Sequence, residues 1–402
     1  MRILAVRAWA LFPHAGLTGA YRPAHHPSGL LAMRTTPSAS STTPAAAGVS
    51  TLRVKPGICD GFAGAIGNTP LIRIPSLSQA TGCDILGKAE FMNPGGSVKD
   101  RAALYLITDA EKRRLIKPGG TVVEGTAGNT GIGVAHMCRA RGYKCIIYIP
   151  ETQSKEKMDA LRALGAEVRP VPVAPFADPA NYQRQAARCA EEMDNAVHAN
   201  QFDNKANQQA HYETTGPEIW EQTGGKLDAW VSAVGTGGTL AGKHDTVVNC
   251  TSRFLKEKDP SVRVFCADPP GASMYSYFAC GGVLERTEGG SITEGIGQAM
   301  TGNVEECGDL VEGAFVVQDQ ESIAMVYRLL HDEGLYVGAS SALNIVGAVK
   351  AAELLGPGHT VVSVLCDGAT RYQSRLFSEE WLKSKDLYEA VPEDCKYLVN
   401  LP

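Results

Sequence analysis

The sequence predicts an α/β protein of two doubly wound domains with parallel-rich sheets. Three observations carry this reading. Apolar strands alternate with amphipathic helices along most of the chain. Residues 229–234 and 360–365 are uncharged throughout, as strands covered on both faces are. Glycine-rich turns follow strands at residues 125–131 and 235–239, at the edge where such sheets take their ligands.

The first 55 residues differ in kind. No acidic residue precedes Asp60, whereas Arg2, Arg7, Arg22, Arg34, Arg53 and Lys55 do. Residues 1–12 can form a short amphipathic helix, and Pro, Ser, Thr and Ala fill residues 37–47. The stretch resembles a mitochondrial transit peptide. The alternative is a low-complexity tail without an address, on a cytoplasmic protein. Residues 1–55 are left out of the predicted fold.

Regular pattern begins after residue 67. Gly67-Asn68-Thr69-Pro70 turns into a short strand, and residues 84–91 read as the next. Asn93-Pro94-Gly95-Gly96-Ser97 breaks that strand. A helix is expected over residues 101–113, with Ser97 as its N-cap. Lys99 then falls in the first turn, where the dipole disfavours a cation. Destabilising the ammonium frees the amine as a nucleophile. Taken alone, such a lysine reads as an ordinary surface residue at a helix start.

Strands at 121–124, 144–149, 167–173 and 196–198 alternate with helices at 134–141, 155–164 and 181–194. Helices at 211–222, 322–333 and 341–353, with strands at 229–234, 263–267 and 360–365, repeat the rhythm in the second half. A strand, glycine turn and helix is half of a βαβ unit, and its turn aims backbone N–H groups at an anion.

Composition excludes some functions. The chain has 402 residues and a net charge of −5, which argues against nucleic acid. No apolar run reaches membrane-spanning length. The eleven cysteines show no metal-ligand spacing and read as reduced thiols; no metal is expected.

Gly235-Thr236-Gly237-Gly238-Thr239 lacks the Gly-Lys-Ser/Thr ending of a P-loop and is not GxGxxG. Its N–H groups and hydroxyls suit a phosphate, or simply a tight turn. Thr126-Ala127-Gly128-Asn129-Thr130-Gly131 offers an amide, hydroxyls and backbone donors that suit a carboxylate and a ring hydroxyl. An activated lysine, a phosphate cup and a carboxylate cup together describe pyridoxal 5′-phosphate meeting an amino acid.

With these motifs, and Gln201-Phe202, the chain resembles the fold-type II (tryptophan synthase β-like) pyridoxal-phosphate enzymes over residues 60–375. Within them it is most similar to the cysteine synthases (O-acetylserine sulfhydrylases), of the mitochondrial fungal type. The resemblance implies a larger cofactor-binding domain of residues 56–96 and 206–385, a smaller mobile domain of 97–205, a tail at 386–402 and the cofactor in the cleft. It implies that Lys99 carries the cofactor as a Schiff base and acts as general base. Asn129 would meet the ring 3′-oxygen, and Gly235, Thr236, Gly237, Gly238 and Thr239 the phosphate. Ser340 would meet the pyridine nitrogen, leaving it largely unprotonated; alone it reads as a helix N-cap. Thr126, Ala127, Asn129, Thr130 and Gln201 would bind the substrate carboxylate. Gly295 would lie in a mobile loop over the site. The implied reaction is β-replacement of O-acetyl-L-serine by sulfide through an α-aminoacrylate, with ping-pong kinetics, in a homodimer.

The chain departs from the family pattern in three places. Ala127 and Ala342 replace the usual serine and glycine, and residues 243–250 look like an insertion. Alternatives are cystathionine β-synthase or serine sulfhydrylase activity, a dehydratase, or an idle cofactor-binding regulatory partner. Cys59 lacks a nearby histidine for haem, and few residues follow Asp367, which weighs against the first of these.

Overall fold

A computed structural model describes residues 57–240, 250–297 and 310–400. The segment at 1–55 that resembles a targeting sequence lies outside the described residues, as does the stretch that looks like an insertion apart from Cys250.

Among the described residues ten strands form two sheets. They are β1 (Leu71–Arg73), β2 (Asp84–Ala89), β3 (Thr121–Gly125), β4 (Lys144–Pro150), β5 (Glu167–Val171), β6 (Ala196–His198), β7 (Ala229–Ala233), β8 (Arg263–Asp268), β9 (Gly313–Val316) and β10 (Thr360–Leu365). The larger sheet runs β1-β2-β10-β7-β8-β9, and the smaller β5-β4-β3-β6. Every pairing is parallel except β1 with β2. β3 and β7 are buried along their whole length, which explains their lack of polar alternation. β9 was not legible: four residues, Gly-Ala-Phe-Val, are too short to stand out.

Helix starts differ from expectation in a consistent way. The helix expected at 134 begins at Asn129, directly on the glycine turn. The one expected at 211 is preceded by Ala206–Ala210 and a π-helical turn, His211–Thr215. In both places Asn, Gln, Gly and Thr mask the helical pattern. The lysine helix spans Lys99–Lys112, starting two residues earlier than its apolar period suggested, and Val98 rather than Ser97 is its N-cap. Ser97 still serves the turn, accepting from Lys99 N at 3.3 Å.

The helix Ala339–Leu355 is buried on nearly every side, as a helix that is apolar all round must be. It packs against the helix Asp319–Glu333 and against β7, β8 and β10. That second helix starts earlier than expected, at a capping box of Gln318 and Glu321. Residues expected as a C-terminal tail are packed: Leu387, Val391, Cys395 and Leu398 join the same core. A second core, of Leu106, Ile107, Val122, Ile132, Ile147 and Leu161, lies under the smaller sheet.

A buried ionic cluster anchors the lysine helix. Arg101 Nε and Nη2 donate to Glu90 at 2.7 and 2.8 Å, and Nη1 and Nη2 to Glu218 at 2.7 Å each. Lys88 reaches Glu218 at 2.7 Å, and Thr69 donates to Glu90 at 2.7 Å. Burial alone would raise the Glu90 carboxyl, but the Arg101 guanidinium outweighs it and holds the group below its usual range. Glu218 is held down to about 2 by Arg101 and Lys88 against the same burial.

Candidate active site

Four strands of the two sheets end at one cavity, open to solvent. β3 delivers Thr126 to Thr130, β6 delivers Gln201 and Phe202, β7 delivers Thr236, and β10 delivers Cys366. Lys99, Ser340, Lys157 and Tyr182 complete the wall from four helix starts, and Glu294–Ile296 from a connecting segment.

The turn before Lys99 is pinned in place. Gly95 N donates to Asp100 Oδ2 at 2.6 Å, and Val98 N to the Cys366 carbonyl at 2.9 Å. Burial lowers the Lys99 ammonium below its usual range. Cys366 and the Asp367 and Glu90 carboxylates pull the other way without overcoming it, and Lys157 adds to the lowering. The sequence pointed to the helix dipole as cause; desolvation is the larger effect.

Gly128 takes φ +133°, and a Cβ there would lie 2.5 Å from Lys157 Cδ. Only glycine can turn the chain from β3 into the Asn129–Arg141 helix with Lys157 so close. The helix therefore opens on the cavity with its first N–H groups unpaired. Thr130 Oγ1 donates to Gln201 Oε1. Gln201 Nε2 donates in turn to Glu124 Oε1 at 3.1 Å and to the Gly125 carbonyl at 3.0 Å. Burial pushes the Glu124 carboxyl up to about 8.

The turn after β7 is equally tight. Asn207 Nδ2 donates to Thr236 Oγ1 and to the Gln201 carbonyl, both at 2.9 Å. A Cβ on Gly238 would lie 2.4 Å from Asn207 Oδ1, and one on Gly235 2.3 Å from the Gly295 carbonyl oxygen. Thr239 Oγ1 stands 3.3 Å from His211 Nε2. Thr236 alone of these five reaches the cavity wall; Gly235, Gly237, Gly238 and Thr239 shape the turn around it. Gly295, at φ +79°, lines the cavity with its carbonyl against Gly235.

Ser340 lies in the first turn of its helix behind the N-cap Gly338, and its Oγ is 3.4 Å from Asp367 Oδ1. Of the thirteen residues singled out from sequence, nine line this cavity: Lys99, Thr126, Ala127, Asn129, Thr130, Gln201, Thr236, Gly295 and Ser340.

Sequence reading missed a ring of charged residues. Lys157 Nζ and Arg375 Nη1 each reach Glu294 at 2.5 Å, closing the Thr293–Gly297 loop over the cavity mouth. Lys157 also lies 4.4 Å over the Tyr372 ring. Asp367 accepts from Asn129 Nδ2 at 2.6 Å and Tyr372 Oη at 2.5 Å. Arg371 Nη1 donates to Asn129 Oδ1 at 2.7 Å. One signal was available: Asp367 ends β10 just as Thr126 and Thr236 follow β3 and β7.

Comparison with known proteins agrees with this geometry. Residues 62–367 match the family model described as "Pyridoxal-phosphate dependent enzyme". Cysteine synthase 1 of Neurospora crassa is 60% identical over 86% of this chain and 90% of its own length. A putative mitochondrial cysteine synthase of Saccharomyces cerevisiae is 39% identical over 80% of this chain and 84% of its own. Among solved structures, an O-acetylserine dependent cystathionine β-synthase from Helicobacter pylori superposes with a TM-score of 0.68. It is 33% identical, over 79% of this chain and 98% of the other.

Proposed function

This chain belongs to the pyridoxal-phosphate dependent enzyme family, and from that membership we propose that it is a cysteine synthase, converting O-acetyl-L-serine and sulfide to L-cysteine and acetate. The carrying observation is the convergence of a desolvated Lys99 amine, the Asn129 helix start and Gln201 on one cavity. The 60% identity to a cysteine synthase over most of both chains supports the same reaction.

The site fits the cofactor. The turn at Gly235, Thr236, Gly237, Gly238 and Thr239 leaves no room for side chains at Gly235 or Gly238, which keeps its backbone N–H groups accessible to a phosphate. When bound, pyridoxal phosphate supplies an aldehyde that captures amines and a ring that takes up electrons freed at the substrate Cα. Lys99 is the residue to hold it, Asn129 to donate to its ring oxygen and Ser340 to meet its ring nitrogen. Thr126, Ala127, Asn129, Thr130 and Gln201 receive the substrate carboxylate at the helix N-terminus, where the dipole favours an anion. Lys99, whose ammonium is destabilised by burial, takes the Cα proton as base and returns one at the end. Glu294, held by Lys157 and Arg375, keeps the loop carrying Gly295 over the mouth and excludes water.

The division into a larger domain (56–96 and 206–385) and a smaller mobile one (97–205) is part of this proposal, as is a homodimer. A mitochondrial location is supported by the arginine-bearing, acid-free start and by the yeast relative. Among the described residues no helix is long and apolar enough to cross a membrane.

The Helicobacter pylori structure favours one second reading, a cystathionine β-synthase using O-acetylserine. Turnover with O-acetylserine plus sulfide, compared with O-acetylserine or serine plus homocysteine, decides between them. Lys99→Ala is expected to abolish turnover and the borohydride-reducible bond to the cofactor. Full activity in that variant, or no spectral response to any amino acid, would sink the enzymatic reading.

A further inference from the structure

Arg371 touches three segments that meet at the site. Its Nη1 donates to Asn129 Oδ1 at 2.7 Å, and its Nη2 donates to the Gly95 carbonyl, in the turn before Lys99. Its own carbonyl accepts from Ser154 Oγ at 2.9 Å. On the other side of the Asn129 amide, Nδ2 donates to Asp367 Oδ2 at 2.6 Å. Asp367 is itself held by Tyr372 Oη at 2.5 Å.

These contacts leave the amide one orientation. As it stands, its oxygen faces a guanidinium and its nitrogen a carboxylate. Turned by 180°, the NH₂ would face a cation that only donates, and the oxygen an anion that only accepts. Both contacts would become repulsive in a partly buried setting, where an unmatched polar group is costly. A carboxamide nitrogen carries two hydrogens. With one committed to Asp367, the second remains for an acceptor in the cavity.

We propose that Arg371, with Asp367 as the opposing acceptor, is a positioning residue that fixes the orientation of the Asn129 amide and its distance from Lys99. The proposal rests on the reading of Asn129 as the donor to the cofactor's ring oxygen. Arginine suits the task better than lysine. One planar group serves two acceptors at once, Gly95 on the lysine side and Asn129 on the ring side. The amine that ties the cofactor and the amide that meets its ring oxygen are thus spaced by one rigid side chain rather than by the backbone of two sheets.

The experiment is a double-mutant cycle on the full-length protein. Cofactor-free wild type, Arg371→Met, Asn129→Ala and the double variant are titrated with pyridoxal phosphate. The dissociation constant and the pH dependence of the bound-cofactor absorption band are followed. Arg371→Met alone is expected to weaken binding about tenfold, the size of losing a well-oriented hydrogen bond, and to shift the band's pH profile in the same direction as Asn129→Ala. In the Asn129→Ala background the same change is expected to cost little more, because its target is gone. Equal losses in both backgrounds, or an unchanged band profile in Arg371→Met, overturn the proposal. Should Arg371→Met fail to fold, Arg371→Lys replaces it in the cycle. That variant keeps the charge and one donor but cannot span both acceptors, and the same additivity decides. Wild-type protein that takes up no cofactor through a reducible bond to Lys99 would overturn the parent reading instead. Uptake by wild type with additive variants overturns only the role of Arg371.

Discussion

Glu124 gives the sharpest test of how burial shapes this site. Its side chain ends β3 in full burial, accepts from Gln201 and has one carboxyl oxygen, Oε2, without a hydrogen-bond partner. The folded carboxyl titrates near 8 rather than 4.5. The sign follows from linkage. Below pH 4.5 the group is protonated in both states and its stability contribution is complete. Between 4.5 and about 8 only the unfolded chain releases the proton, so stability falls as pH rises, levelling off above 8. At about 1.36 kcal/mol per pKa unit the full span corresponds to roughly 3–5 kcal/mol, allowing for relaxation around the ionised group. Glu124→Gln keeps an acceptor for Gln201 and cannot ionise. Urea unfolding midpoints of both proteins at pH 5 and pH 9 are the assay. The variant is expected to gain on wild type by most of that amount between the two pH values. Parallel losses in the two proteins would refute the argument, because other buried acids such as Asp100, raised to about 7, affect both equally.

Three further expectations follow from the geometry. Arg101→Met leaves Glu90 buried without its cation and Glu218 with Lys88 alone, and is expected to cost about 3–5 kcal/mol in chemical unfolding. Glu218, depressed to about 2 by Arg101 and Lys88, contributes stability above pH 4.5 that is lost as pH falls toward 2, and acid unfolding curves of Arg101→Met should show that component reduced. Glu294→Ala releases Lys157 and Arg375 from the loop. The KM for the amino-acid substrate is expected to rise more than kcat falls, as steady-state kinetics would show. Gly238→Ala places a methyl against Asn207 Oδ1 and is expected to weaken cofactor retention about tenfold or more, since the neighbours must shift; dialysis followed by absorbance measures it.

The strands were legible wherever burial on both faces removed charge, as in β7 and β10. Lys99, Asn129 and Gly235–Thr239 were legible because each sits on a local signal, a broken strand or a run of glycine. Arg371, Lys157 and Glu294 carry no such signal. Arg371 meets Asn129, and Lys157 meets Glu294, only after the chain has folded across more than a hundred intervening positions. A lone arginine or lysine on a surface-like stretch looks the same whether it ends in water or on a buried carboxylate. Helix starts at Asn129 and Ala206 were hidden for another reason: polar residues that face a cavity interrupt the apolar period without interrupting the helix.

The position of β10 has a bearing on how the molecule is made. It pairs in parallel with β2 on one side and β7 on the other, so the strand at the middle of the larger sheet is the last of the ten to leave the ribosome. The smaller sheet, contiguous from Thr121 to His198, can close while synthesis continues. The larger one has to keep a gap between its early and late strands until residues 360–365 arrive. Contacts of such separation are slow to form, and the waiting edges of β2 and β7 are open to mispairing in the meantime. A chain cut short before Thr360 would lack the seam of that sheet as well as Cys366, Asp367 and Arg371.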